Sequence, residues 1–176
     1  MSHHIYHTTG LIVGLKPKGE TDLFLKVFTR DFGMVVAVAQ GARKMVSKNR
    51  FGLRLYAVPE FDLIKTRESF RVGAVRPEPY APGRAETLVR AKVSAILARF
   101  VVSDEPHEKL FDDVLELFKK QNKDIDILVM IVILENLGYW HSTESDKSFI
   151  NGGMLSAQEK VEIINRINES ISHIHL

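Results

Sequence analysis

Five cations stand within the stretch Gln40 to Arg54: Arg43, Lys44, Lys48, Arg50 and Arg54, with no acid among them. Phe51 sets an aromatic ring among these charges, and Gly41 and Gly52 permit backbone bends that a side chain would hinder. Cations neutralise phosphates, and an exposed ring offers a face on which a base can stack. Charge alone leaves the stretch open between a polyanion-binding loop and a solvated connection. Lys16, Lys18, Arg67 and Arg71, on neighbouring segments, can extend a phosphate track.

Other residues offer less chemistry. Glu20 and Asp22 flank a turn, where they would set turn geometry or pair with nearby lysines; no second acid, His or Ser accompanies them in a catalytic pattern. His3, His4 and His7, and His173 with His175, are metal-competent residue types, but near the ends of the sequence adventitious binding is the most they imply. No P-loop, dinucleotide-binding, nucleophile-elbow or zincin motif occurs, and the expectation is a protein that is not an enzyme.

The charge is unevenly spread. Residues 1–80 hold 13 Lys+Arg against 7 Asp+Glu, and the remainder 11 against 15, so the formal charge of +2 is the difference between +6 and −4. The basic half contains the loop, which points to a polyanion for that half and to a protein partner for the other. A hydrophobic share of 45% with 26% charged residues is enough to build a packed core, so disorder is not the default. The absence of cysteine excludes disulfides and thiolate chemistry. The start, Met-Ser-His-His-Ile-Tyr-His, lacks the apolar centre of a signal peptide, and the run Ile125 to Leu137 is broken by Asp126 and Glu135 and too short for a bilayer. A cytoplasmic location is expected.

The elements that must position the loop follow from the hydrophobic pattern. Tyr6 to Lys16, Asp22 to Thr29, Met34 to Ala39, Tyr56 to Lys65 and Phe70 to Arg76 read as five short strands, with Pro59 marking an edge or a bulge and a switch of parity placing Phe28 toward apolar surroundings. With no helix long enough for a crossover among them, they predict a small antiparallel barrel. Pro77, Pro79, Pro82 and Gly83 form a boundary. Beyond it, Leu88, Ala91, Ala95, Leu97 and Val101-Val102 predict a helical stripe between Glu86 and Val102. Ser103 to Pro106 reads as a cap for a helix carrying Leu110, Phe111, Val114, Leu117 and Phe118, closed by Lys119 and Lys120. A third helix from Ile125 is apolar nearly all round and ends at Gly138. Tyr139 to Gly153 reads as a loop, and the capping box Ser156/Glu159 opens a last helix with Val161, Ile164, Ile167, Ile171 and Ile174 on one face. The fold class is therefore α+β, a β-barrel followed by a helical bundle.

Taken together, Gly19-Glu20 with Asp22, Phe28-Thr29, Gly33, Ala39-Gln40-Gly41-Ala42-Arg43 and Arg50-Phe51-Gly52 resemble the N-terminal domain of the bacterial DNA repair family RecO, most specifically in the basic loop. The resemblance spans residues 5–76 and continues more weakly to Leu137-Gly138-Tyr139. It implies a five-stranded OB-fold DNA-binding domain over residues 1–78 and a reduced helical domain over 83–176. It also implies binding to single- and double-stranded DNA, annealing of complementary strands, and action at the nucleoid with RecR and the single-stranded-DNA-binding protein SSB in loading RecA. The DNA contacts would fall on Arg43, Lys44, Lys48, Arg50, Phe51 and Arg54, extended by Lys16, Lys18, Arg67 and Arg71.

Many members of that family follow the Leu-Gly-Tyr stretch with two Cys-x-x-Cys pairs that hold zinc. This chain has none, although Phe149 and Gly152-Gly153 resemble what lies between them, so neither a structural zinc nor another cofactor is expected. Phe111, Leu115 and Phe118 read as core. An exposed remnant of that surface beside Lys119, Lys120 or Arg99 would be the place for the acidic, hydrophobic tail of SSB, and Trp140 is expected to pack. Two other readings stay open: a protein-interaction adaptor whose barrel has little DNA affinity, and an RNA-binding OB-fold protein.

Overall fold

The computed structural model describes residues 4–102, 104–120 and 122–172. His3, Ser103, His173, Ile174 and His175 lie outside the described residues.

Five strands come first: β1 (Ile5–Lys18), β2 (Asp22–Thr29), β3 (Gly33–Ala39), β4 (Glu60–Lys65) and β5 (Phe70–Arg76). They close in the order β1-β2-β3-β5-β4, antiparallel throughout except where β3 meets β5 at Ala37/Phe70 and Val38/Arg71. This is an OB-fold barrel. Its wall obeys the two-residue period of the strands. Ile12, Val27 and Val35 are level with one another and point inward to join Leu25, Ala37, Phe61, Leu63 and Val72. The next row, Leu11, Phe28 and Met34, points outward and belongs to the core beneath the helices, where the Phe28 and Phe111 rings lie 5.6 Å apart. The parity switch expected in β2 does not occur. The strand is regular, and Phe28 is buried because helices cover the outside of the wall there.

Two further strand expectations are corrected. The fourth strand begins at Glu60, not Tyr56, and it is not an edge: β4 pairs with β1 on one side and β5 on the other. Pro59 precedes the strand and supplies a carbonyl to the Gly10 N–H, while the register shift lies at Asp62/Leu63, opposite Gly73. Tyr56, at a left-handed φ of 67°, turns the chain into this segment, with its N–H on the Ile12 carbonyl.

Helices α1 (Arg84–Phe100), α2 (Glu108–Phe118), α3 (Ile125–Asn136), α4 (Glu144–Ile150) and α5 (Ala157–Ser172) follow. In α2 the buried set is Leu110, Phe111, Val114, Leu117 and Phe118, as the spacing predicts, although the helix starts after His107 and Pro106 stands before its first turn. Helix α3 is central, with Leu128, Val129 and Ile131 to Leu134 all buried, and Gly138 closes it at φ 81°.

The stripe expected on α1 is rotated. Leu88, Ala95 and Val102 are exposed, Leu97 and Val101 are buried as expected, and Arg90, Val93, Ser94 and Phe100 complete the buried face. A buried arginine is tolerated here because Glu78 and Glu86 meet it, as described below. The α5 stripe shifts only in part: Val161 and Ile164 are exposed, Ile167 and Ile171 pack as expected, and Ile163 joins them. The Ser156/Glu159 capping box is formed, with both reciprocal hydrogen bonds present.

Tyr139 to Gly153 is not a loop throughout, since it contains α4. That helix begins with a second capping box, Thr143 with Asp146, and buries Phe149. The Asp146 carboxylate, fully enclosed, accepts from Arg166 of α5, whose guanidinium lies 4.2 Å from the centre of the Trp140 ring. Trp140 packs, as expected.

Three cations fasten the barrel to the helices. Lys26 donates to the Ala98 carbonyl at the end of α1, where a positive charge meets the negative end of the helix dipole. Arg30, in the β2–β3 turn, pairs with Glu108 and Asp112 of α2, which raises the Arg30 pKa and lowers that of Asp112. Arg90 reaches the Tyr56 carbonyl at 3.0 Å and grips Glu78 with both terminal nitrogens.

Candidate nucleic-acid interface

The basic loop springs from β3 and is laced to the β1–β2 turn. Gly41, at φ 62°, bends the chain, and its N–H donates to the Asp22 carboxylate at 2.8 Å. The Arg43 N–H donates to the Thr21 carbonyl, and its guanidinium to the Gly19 carbonyl at 3.0 Å. The Gly41 N–H and the Thr21 hydroxyl, with Lys18 and Lys44 nearby, hold the Asp22 carboxyl below its ordinary pKa. Asp22 therefore shapes the turn, as its position predicts.

The far end of the loop is pinned to β5. Lys48–Phe51 makes one turn of 3-10 helix, Asn49 accepts from the Val75 N–H, and Leu53 is buried. Gly52 is needed for proximity and not, as expected, for a bend: its φ of −89° suits any residue, but a Cβ there would sit 2.5 Å from Val75 Cγ1. Between the pins the side chains face water. Phe51 is 61% exposed, with the Arg50 guanidinium 4.7 Å from its ring centre.

A second feature lies on the barrel wall. Strand register places Lys16 beside Phe24, Phe24 beside Val38, and Val38 beside Arg71. This outward row, beyond the part of the wall that helices cover, is an apolar strip with a cation at each side. Phe24 is 38% exposed. Sequence reading missed Phe24, although its position between inward Leu23 and Leu25 was the available signal. The outer wall at strands β2 and β3, with the turns that border it, is where OB barrels commonly take oligonucleotides.

The structure thus brings Lys16, Lys18, Arg43, Lys44 and Arg71 around one corner of the barrel, with Lys48, Arg50 and Phe51 continuing along β5. Two predicted residues stand apart. Arg54 lies past Gly52, beside Leu55, Tyr56 and the Pro82 linker, and Arg67 is on the separate β4–β5 turn.

The electrostatics separate this surface from the rest. Among the described residues, none of the nine candidate cations has a carboxylate within 4.0 Å, whereas Arg30 and Arg76 of the same half, and Arg90 of α1, are each paired. Asp31, Glu60, Asp62 and Glu78 are occupied by those pairs. His7 is also engaged there, 2.7 Å from Asp62, and His4 packs edge-on against Tyr6.

The helical half offers a groove of about 410 Å³ lined by Val58, Tyr80, Leu115, Phe118 and Lys119, among others. Phe111 is wholly buried. Glu78, Asp112 and Glu116 also face the groove, and its Arg90 and Lys119 are already paired, so its charge does not favour an acidic tail.

The class is an OB barrel joined to a helical bundle, and the barrel's face of unpaired cations and exposed rings is chemically suited to a polyanion with stackable bases. Residues 1–72 match the family model described as "Recombination protein O N terminal". The chain is 30% identical over 111 residues to the DNA repair protein RecO of Desulfitobacterium hafniense, a match covering 61% of this chain and 41% of that one. It is 27% identical over 139 residues to RecO of Alkaliphilus metalliredigens, covering 75% and 56%, and 31% identical over 111 residues to RecO of Acaryochloris marina, covering 61% and 38%. Over its N-terminal domain the chain is similar to the RecO family, and it matches about two fifths to a little over half of the length of these relatives. Among the described residues no helix is long and apolar enough to cross a membrane.

Proposed function

We propose that the chain is a non-enzymatic DNA repair and recombination mediator that binds single- and double-stranded DNA through the barrel face and loop. It acts at the nucleoid, promotes annealing, and works with RecR and SSB in loading RecA. The observation that carries the DNA reading is the row of cations without carboxylate partners, bordered by Phe24 and Phe51. A cation already paired in the free protein gains little from a phosphate, because it must first give up its acid; an unpaired one releases only counterions. Annealing needs no bond-making step. A surface that screens two anionic strands and leaves their pairing edges free lowers the repulsion between them.

The test is anisotropy of a labelled single-stranded oligonucleotide across salt concentrations, with duplex and RNA probes beside it. If about five phosphates are met, log affinity falls with log salt at a slope of roughly −3.5; Arg43→Ala/Lys44→Ala/Arg50→Ala should bring it to about −1.4. Equal, weak binding by wild type and variant would make the loop a solvated connection and turn attention to the helical half. A strong preference for RNA would replace DNA as the ligand.

A further inference from the structure

The tip of the basic loop carries two apolar side chains that the phosphate reading does not use. Met45 is 86% exposed and Val46 88%, more than Phe51 on the same loop. They are neither loose nor packed away. The Met45 carbonyl accepts from the Arg50 guanidinium at 3.1 Å, the Lys44 N–H donates to the Gly41 carbonyl, and the Ser47 N–H donates to the Lys44 carbonyl. The backbone at the tip is thus held in turns that present both side chains to solvent. Arg43 and Lys44 precede the pair, and Lys48 and Arg50 follow it.

We propose that Met45 and Val46 form an apolar wedge that enters between neighbouring bases of a duplex held by the loop, separating them. The inference rests on the DNA reading above. Base faces are apolar and bordered on both sides by phosphates, and the tip presents the complementary order, with cations on either side of an apolar pair. Insertion of such side chains at a base step exchanges stacking for apolar contact and kinks the helix, loosening the stack at that step. An anionic lipid surface has similar chemistry, with headgroups over hydrocarbon. DNA is favoured because the cations continue from the loop to Lys16 and Arg71 across a curved barrel wall. A strand can follow that curve, and a flat bilayer meets only the tip.

The experiment uses the full chain and a short duplex with a central 2-aminopurine, a base that brightens when unstacked. Wild type at saturation, judged by anisotropy, should raise the fluorescence. Met45→Ser/Val46→Ser should still saturate the duplex with the same salt slope but lose the rise, and Met45→Leu/Val46→Leu should keep it. Both positions are so exposed that neither change threatens folding, which a matching thermal melt would verify. A rise that persists in the serine variant, or wild-type saturation without any rise, overturns the wedge while leaving DNA binding intact. Binding of wild type to phosphatidylserine vesicles, lost in the serine variant and unaccompanied by a rise on the duplex, would assign the tip to lipid. Failure of wild type to bind the duplex at all would remove both readings.

Discussion

Replacing Arg90 with methionine should destabilise the protein more than its place on a helix implies. The side chain is 1% exposed and makes a two-pronged contact with Glu78 at 2.9 and 3.0 Å, a 2.6 Å contact with Glu86 and a 3.0 Å bond to the Tyr56 carbonyl. It also lies 5.0 Å from the centre of the Phe118 ring. Burial works against its charge, and Glu78 and then Glu86 more than offset this, so its pKa is raised. Methionine keeps most of the apolar volume and removes the charge, leaving Glu78 enclosed without a partner. Breaking a buried pair from one side costs about 3–5 kcal/mol. For a chain of this size that is a fall in melting temperature of roughly 6–20 °C. Arg90→Met/Glu78→Leu should recover all but about 1–3 kcal/mol, the residue being the Tyr56 carbonyl left without its donor. Urea unfolding followed by helical circular dichroism and by the single tryptophan, Trp140, reads both. A loss below about 1 kcal/mol in the single variant, or a double variant no better than the single, would refute the argument that an unpaired Glu78 drives the effect.

Phe24→Ala should weaken single-strand binding by about 1–3 kcal/mol while leaving the salt slope unchanged, since a stacking face and not a charge is removed; anisotropy titrations at several salts measure both. Gly52→Ala should cost about 1–3 kcal/mol in urea unfolding, because the new methyl overlaps Val75; no loss would mean that β5 yields. Asp22 has a lowered pKa, so its hold on Gly41 is complete above the ordinary carboxylate pKa and is lost as pH falls through the lowered one. The Gly41 amide resonance should follow that acid transition in wild type, and Asp22→Asn should abolish it.

Much of the fold was legible because its signals are local. Strand alternation and turn residues mark the barrel, and the spacing of Leu110 to Phe118 marks α2 and its buried face. What escaped depends on groups brought together from far apart. Arg90 and Ser94 stand outside the apolar stripe expected on α1, since nothing in the local sequence says that Glu78 and the Tyr56 carbonyl will meet a buried guanidinium. Helix α4 was hidden because it has few apolar residues, and its Asp146 is fixed by Arg166, 20 positions away. The cations of the interface were visible as a cluster in the loop. That Lys16 and Arg71 flank Phe24 required the register of four strands, and Arg54 and Arg67 were grouped with the rest by sequence proximity and composition alone.

The wall shared by the two halves sets a limit on how the chain can be divided. Residues 1–78 and 83–176 invite treatment as separate pieces, yet Leu11, Phe28 and Met34 turn their side chains out of the barrel and into the helical core. A fragment cut at the proline linker would keep every strand and every cation of the loop, and it would also uncover a greasy panel on its flank. Such a fragment should be sticky, and a cut surface that clings to itself or to a column can pass for a binding activity. Comparisons of the barrel's affinity with that of the intact chain therefore need polar replacements along that panel, or they will report the wound and not the interface.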